Sequence, residues 1–341
     1  MTEFFNIRVY LVGMLAAAGL LLSGCGLVEP TEQPSEQEMV VRELDRQRQL
    51  AVSLYVDAMM LNDLDEYAEA LLKLEQATEA DSEFALAFSM KGDLYQQLEQ
   101  YEESADAYER ATTLDPWSFS DFFNLGSVSR ILEQYTRAAR AFVAASRLDP
   151  EHYEAHIGAA RSFFDLEDFD QAREFARKAR DINPDQPDAE LVLGDIFDQQ
   201  REPLEAINAY RRVLELKGNE PDIMIRLARS YLRADRFSSA KELLQDVLEQ
   251  EPDNALAFQY LGFAQLRLEQ TEEAIESYQL AVRLGNDDWM AHKSLGVAYM
   301  IRAIQQNNDE RIKALALEQW TISLQINPDQ PQLNELMARY N

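Results

Sequence analysis

The sequence predicts an all-α solenoid of stacked helix pairs, and three observations carry that prediction. Ala, Leu, Glu, Gln and Arg dominate while only 12 glycines occur in 341 residues, a composition that favours helix. Helix-ending tripeptides return at a fixed interval: Leu-Asp-Pro ends at Pro116 and Pro150, and Ile-Asn-Pro at Pro184, each 34 residues after the last. A small residue keeps the same interval, at Ala58, Gly92, Gly126, Ala160, Gly194, Ala228, Gly262 and Gly296. Hydrophobic residues make up 46%, enough for packed cores. The net charge of −29 argues against a broad nucleic-acid-binding surface. One cysteine and three histidines exclude a disulfide framework and a Cys-based zinc site.

In chain order, residues 1–24 come first. Arg8 is followed by the uncharged stretch Val9–Leu22, which has the length of a signal-peptide apolar region. It runs into Leu22-Ser23-Gly24-Cys25, which resembles a bacterial lipobox. That resemblance implies cleavage before Cys25, lipidation of this only cysteine, and a body held outside the cytoplasmic membrane. At Gly26, enterobacterial lipoproteins retained in the inner membrane carry Asp, so the resemblance implies the outer membrane, facing the periplasm. Val9–Val28 is uncharged throughout and also admits an uncleaved anchor. Residues 25–35, with Pro30 and Pro34, read as a tether. Ser35-x-x-Glu38 is a capping box that opens a leading helix over 36–50.

Residues 51–330 divide into eight units: 51–84, 85–118, 119–152, 153–186, 187–220, 221–254, 255–288 and 289–330, the last with an eight-residue insertion. Twelve residues after each small residue stands another, at Ala70, Ser104, Ala138, Ala172, Ala206, Ala240 and Ala274. Four further on stands a bulky one, at Leu74, Tyr108, Phe142, Tyr210, Leu244 and Tyr278, with Ala176 the exception. Antiparallel helices approach closely only where side chains are small, and bulky residues fill the space beside them. Proline stops the second helix and opens the next unit.

This pattern resembles the tetratricopeptide repeat (TPR). The resemblance implies a right-handed TPR superhelix, an α-solenoid of about eight helix-turn-helix repeats with a C-terminal capping helix over 331–341. Leu333, Leu336, Met337 and Tyr340 supply the apolar stripe of that cap. Pro203 falls at the first turn of its helix. His156 and Ala176 predict looser packing in repeat 4. The insertion is expected as one extra turn on each helix of repeat 8, joined near Asn307-Asn308-Asp309, with Trp320 in the bulky place.

No phosphate-loop, zinc-protease, nucleophile-elbow or dinucleotide motif occurs, so neither an enzyme nor a cofactor is expected. His152 and His156 read as turn and packing residues, and the acidic run from Asp165 to Asp170 as a solvated loop. The family resemblance places a binding groove along the first helix of each repeat. Its N-terminal candidates are mainly acidic: Asp63, Asp93, Glu154, Asp165, Asp188, Asp195 and Asp198, with Arg130 and Arg161 among them. Its C-terminal candidates are mainly basic: Arg226, Arg229, Arg233, Arg267 and Lys293 against Asp222. These arginines suit either an acidic segment of a partner or ion pairs with the neighbouring repeat. Tyr260 and Phe263 offer apolar contacts, and Asn124 resembles groove asparagines that hold a peptide backbone in some TPR proteins. The expected function is a non-enzymatic, lipid-anchored adaptor that recruits or assembles envelope machinery. A chaperone-like carrier of exported polypeptides is the competing expectation.

Overall fold

The computed structural model describes residues 35–285 and 288–340. The predicted signal peptide, Cys25 and the tether up to residue 34 lie outside the described residues, as do Asn286 and Asn341. The chain divides into two units, 1–48 and 49–341. In the first, the capping box forms: the Ser35 backbone N–H donates to Glu38 Oε2 at 2.9 Å and the Glu38 N–H to Ser35 Oγ at 3.3 Å. It opens α1 (Glu36–Asp63), whose turns up to residue 48 are exposed.

The second unit is a series of helix pairs, and the described residues contain seventeen α-helices and no strand. Helix α1 is continued by α2 (Tyr67–Ala80); then come α3 (Ala85–Gln97) with α4 (Tyr101–Leu114), α5 (Phe119–Ile131) with α6 (Tyr135–Leu148), and α7 (Tyr153–Asp165) with α8 (Phe169–Ile182). The series continues with α9 (Pro187–Gln199) and α10 (Pro203–Lys217), α11 (Pro221–Arg233) and α12 (Phe237–Gln250), and α13 (Ala255–Arg267) and α14 (Thr271–Leu284). It ends with α15 (Trp289–Gln305), α16 (Glu310–Ile326) and α17 (Pro331–Tyr340). Pro187, Pro203 and Pro221 each open their helix, where a missing N–H costs nothing.

The size pattern seen in the sequence is reciprocal packing. Where the second helix carries an aromatic residue, the first carries glycine. A Cβ on Gly92 would lie 2.6 Å from the Tyr108 ring, and one on Gly194 would lie 2.6 Å from the Tyr210 ring. Where the bulky residue is leucine, as at Leu74 and Leu244, alanine suffices at Ala58 and Ala228, and all four are fully buried. In repeat 4, where Ala176 breaks the series, Phe175 is buried instead and stacks on Phe163 at 5.6 Å. A cleft of about 800 Å³ opens beside His156, Phe163 and Phe175, while the packing positions Ala160, Ala172 and Ala176 of repeat 4 are fully buried.

The turn inside each of the first seven repeats follows one design. In the second repeat the Glu99 N–H donates to the Gln96 carbonyl and the Gln100 N–H to the Tyr95 carbonyl, the paired bonds of a Schellman motif. The residue at its centre has positive φ: Asp65, Glu99, Glu133, Glu167, Arg201, Asp235 and Glu269, again 34 apart. Glycine is the usual occupant of that conformation, and none of the seven is glycine.

In repeat 8 both helices grow to 17 residues and are joined by residues 306–309. Asp309 caps α16 by accepting from the Arg311 and Ile312 N–H groups. Trp320 is buried against Gly296, and its Nε1 donates to the Lys293 carbonyl at 3.2 Å. Fully buried Leu333 of α17 closes this core, with Tyr340 at 6.4 Å from the Trp320 ring. Among the described residues, no helix is long and apolar enough to cross a membrane.

Candidate functional site

The first helices of successive repeats line the clefts expected for the groove, and acids and arginines on them meet across repeat boundaries. The centre of this network is Asp198, whose side chain is 4% exposed. Arg229 Nη2 donates to its Oδ2 at 2.6 Å and Arg233 Nη1 to its Oδ1 at 2.5 Å. Arg233 Nη1 also donates to the Asp198 backbone carbonyl at 2.8 Å. A carboxylate this deep is tolerated because two guanidinium groups neutralise it.

Next to it, Tyr210 donates its hydroxyl to Asp195 Oδ1 at 2.7 Å, and Arg226 binds the same oxygen. Burial works against the Arg226 charge, but the Asp195 carboxylate outweighs it and raises the guanidinium pKa. Burial, followed by the Asp195 charge and hydrogen bond, pushes the Tyr210 hydroxyl far above its ordinary value.

The other predicted cations are also engaged. Arg130 Nη1 meets Asp165 Oδ2 at 2.9 Å, and Arg161 meets Asp188. Arg267 lies 3.5 Å from Asp235 and stacks over Phe237 at 4.4 Å. Lys293 sits over the Trp289 ring at 5.7 Å. Of the two uses that the sequence left open for these arginines, the structure shows ion pairs with the neighbouring repeat. Much of the positive charge read in the C-terminal groove is matched by acids of the preceding repeat, Asp195, Asp198 and Asp235.

Tyr260 and Phe263 come together, with Arg229, Arg233 and Tyr278, around a cleft of about 420 Å³. Asn124 stands elsewhere. Its Nδ2 donates to the Tyr108 hydroxyl oxygen at 3.3 Å and, at 3.5 Å, approaches Asp93 Oδ1. Asp93, Asn124 and the residues Tyr55, Met59, Leu86 and Met90 line a second cleft of about 640 Å³ at the N-terminal end of the groove.

A family model described as the C-terminal domain of cilia and flagella-associated protein 70, a TPR domain, matches residues 44–300. The chain belongs to this tetratricopeptide-repeat family. No curated protein matches the TPR chain. Among solved structures, YrrB, described as a TPR protein with an unusual peptide-binding site, has a TM-score of 0.50 at 22% identity, over 55% of this chain and 96% of its own. The Cut9–Hcn1 hetero-tetramer of the APC/C has a TM-score of 0.51 at 19% identity, over 90% of this chain and 60% of that one. A TPR protein from Parabacteroides merdae has a TM-score of 0.48 at 15% identity, over 73% and 99%. At these identities the first two likenesses establish the TPR fold.

TPR proteins are in general interaction scaffolds, and the histidines of this one have structural tasks. His152 caps α7 by accepting from the Ala155 N–H, and buried His156 meets the Pro150 carbonyl at 2.9 Å. Asp168 caps α8, so the acidic run of repeat 4 is divided between a helix cap and the Arg130 ion pair. Among the described residues, no group of three or more acids, histidines or cysteines is arranged to hold a metal. The sequence reading allowed ion pairs between neighbouring repeats but did not assign two arginines to Asp198. The signal available was spacing: Asp195 and Arg226, and Asp198 and Arg229, are each 31 residues apart.

Proposed function

We propose that this TPR protein is a non-enzymatic adaptor, anchored by lipid at Cys25 to the bacterial outer membrane and facing the periplasm. There it recruits or assembles envelope machinery by holding a protein or peptide partner in its groove. The observation that carries this reading is the pair of clefts along the first helices of the TPR array, each combining apolar walls with fixed polar groups. The lipobox-like Leu22-Ser23-Gly24-Cys25 after an uncharged stretch supports the anchor. Several buried acyl chains would hold the body firmly, at about 0.8 kcal/mol per CH₂.

In-cell crosslinking followed by affinity capture, run on the wild type and on Cys25→Ser, tests the proposal. The wild type should fractionate with the outer membrane, incorporate labelled fatty acid and bring down one or two envelope proteins. The Cys25→Ser chain should lose the label and the fractionation. A broad, sequence-tolerant set of captured polypeptides would replace the adaptor by a carrier, and unlabelled wild type would refute the anchor.

A further inference from the structure

The same two positions flank a buried tyrosine at Tyr108, Tyr210 and Tyr278, which are separated by multiples of 34 residues, and their occupants differ. At Tyr210, the hydroxyl donates to Asp195 and Arg226 completes the site with its positive charge. At Tyr278 the two equivalent positions are Phe263 and Ser294, both uncharged, and both line the cleft of about 420 Å³ with it. At Tyr108 the hydroxyl again donates to an aspartate, Asp93 Oδ1, at 2.6 Å. The position of Arg226 is here taken by Asn124, which is neutral. The second site has the acid and the tyrosine of the first and lacks its cation.

Both protein donors to Asp93 act on Oδ1, and among the described residues Oδ2 has no hydrogen-bond or ion-pair partner. Asp93 itself is exposed to the cleft; partial desolvation beside Tyr108 raises its carboxyl pKa, with the charge of Asp121 acting in the same direction and the Tyr108 hydrogen bond against it. The carboxylate faces the cleft of about 640 Å³, together with a second acid, Asp63. No ion pair reaches Asp63, Asp93 or Asp121 among the described residues, whereas Asp165, Asp188, Asp195 and Asp198 each hold an arginine. Around the acids stand Tyr55, Leu86 and two methionines, Met59 and Met90, which are adaptable apolar contacts.

We infer that the cleft at Asp93 receives a basic side chain, Arg or Lys, carried on an apolar stretch of the partner polypeptide, in the place that Arg226 fills at Asp195. Charge complementarity selects this occupant, and the protein itself displays the completed pair one hundred and two residues further on. The inference rests on the adaptor reading and gives the chemistry of what the groove holds.

The test is selection of random twelve-residue peptides displayed on phage against the full chain in detergent. Selected peptides should place Arg or Lys beside Leu, Met or aromatic residues. Two variants decide the location. Asn124→Arg supplies an internal cation, as at Arg226, and should weaken the selected peptides about tenfold or more while leaving the fold at least as stable. Asp93→Asn keeps the size and the acceptor for Tyr108, and should weaken them similarly. Peptides enriched in acids, or without basic residues, or indifferent to both variants, would overturn the inference and leave the adaptor reading standing. Absence of any enriched peptide would overturn it as well, and the adaptor would then be judged by the in-cell capture alone.

Discussion

A glycine is most informative where a ring lies against it. Gly194 has Tyr210 pressed on its Cα, and the Tyr210 hydroxyl is fixed on Asp195, so the ring has no retreat from an added methyl group. Gly194→Ala should cost about 1–3 kcal/mol by overpacking, offset by roughly 1 kcal/mol of improved helix propensity. Denaturant unfolding should show a net loss. These positions were legible in the sequence because size alone decides them. The choice of Gly over Ala follows the aromatic partner sixteen residues later, a rule that the sequence displays at Gly92, Gly126, Gly194 and Gly262. The buried tyrosines add a pH prediction. Burial holds the hydroxyls of Tyr108, Tyr210 and Tyr278 above the ordinary value of 10.0, and pushes Tyr153 up to about 12. A folded pKa above the unfolded one means that the native state keeps protons that the unfolded chain releases. This stabilisation is complete below pH 10 and is lost as pH rises beyond it. Alkaline titration should therefore show tyrosine absorbance rising together with loss of helix, and Tyr278→Phe should delay that transition.

The first seven helix pairs are joined by the same turn, and that turn was not legible. Seven residues in left-handed conformation fall in exact register with the repeat, yet they are Asp, Glu or Arg, where the sequence signal would have been Gly or Asn. The hydrogen bonds of the Schellman motif impose the conformation despite its side-chain cost. Glu99→Gly should thus stabilise the chain, by on the order of 0.5 kcal/mol once the greater freedom of glycine in the unfolded state is counted. Helix-to-helix ion pairs were half legible: charge and position were in the sequence, but partner choice depends on how far one repeat rotates against the next. Asp198 shows the consequence. It fastens α9 to α11 through two arginines, and Asp198→Ala should lower stability by roughly 1.5–3 kcal/mol, measured by urea unfolding at constant pH. Reversing Arg226, Arg229 and Arg233 to Glu would place three new acids on Asp195 and Asp198, so such a variant reports on folding before it reports on binding.

As a repeat array, the second unit is stabilised by contacts between neighbours, so damage stays local. Leu333 of the capping helix is fully buried in the core of repeat 8. Leu333→Ala should cost about 2–5 kcal/mol there. Hydrogen exchange should accelerate in α15–α17 and remain unchanged in α5–α10. The eight-residue insertion and the cap were readable from periodicity, because helix length and register follow from it; the leading helix was readable at its start from the capping box, and it runs without a break into the first repeat as α1. What periodicity left open was the electrostatics of the groove, where most cations are internal and the open acid is at Asp93. The central claim is that this groove, at its N-terminal end, holds the partner. The most direct measurement places a photo-crosslinking amino acid in living cells at Met90, in the groove, or at exposed Leu72 of α2 as the control. The account predicts a discrete adduct from position 90, none from position 72, and loss of the adduct when Asn124→Arg is combined with the probe at 90. An adduct from position 72 with none from position 90 would contradict it.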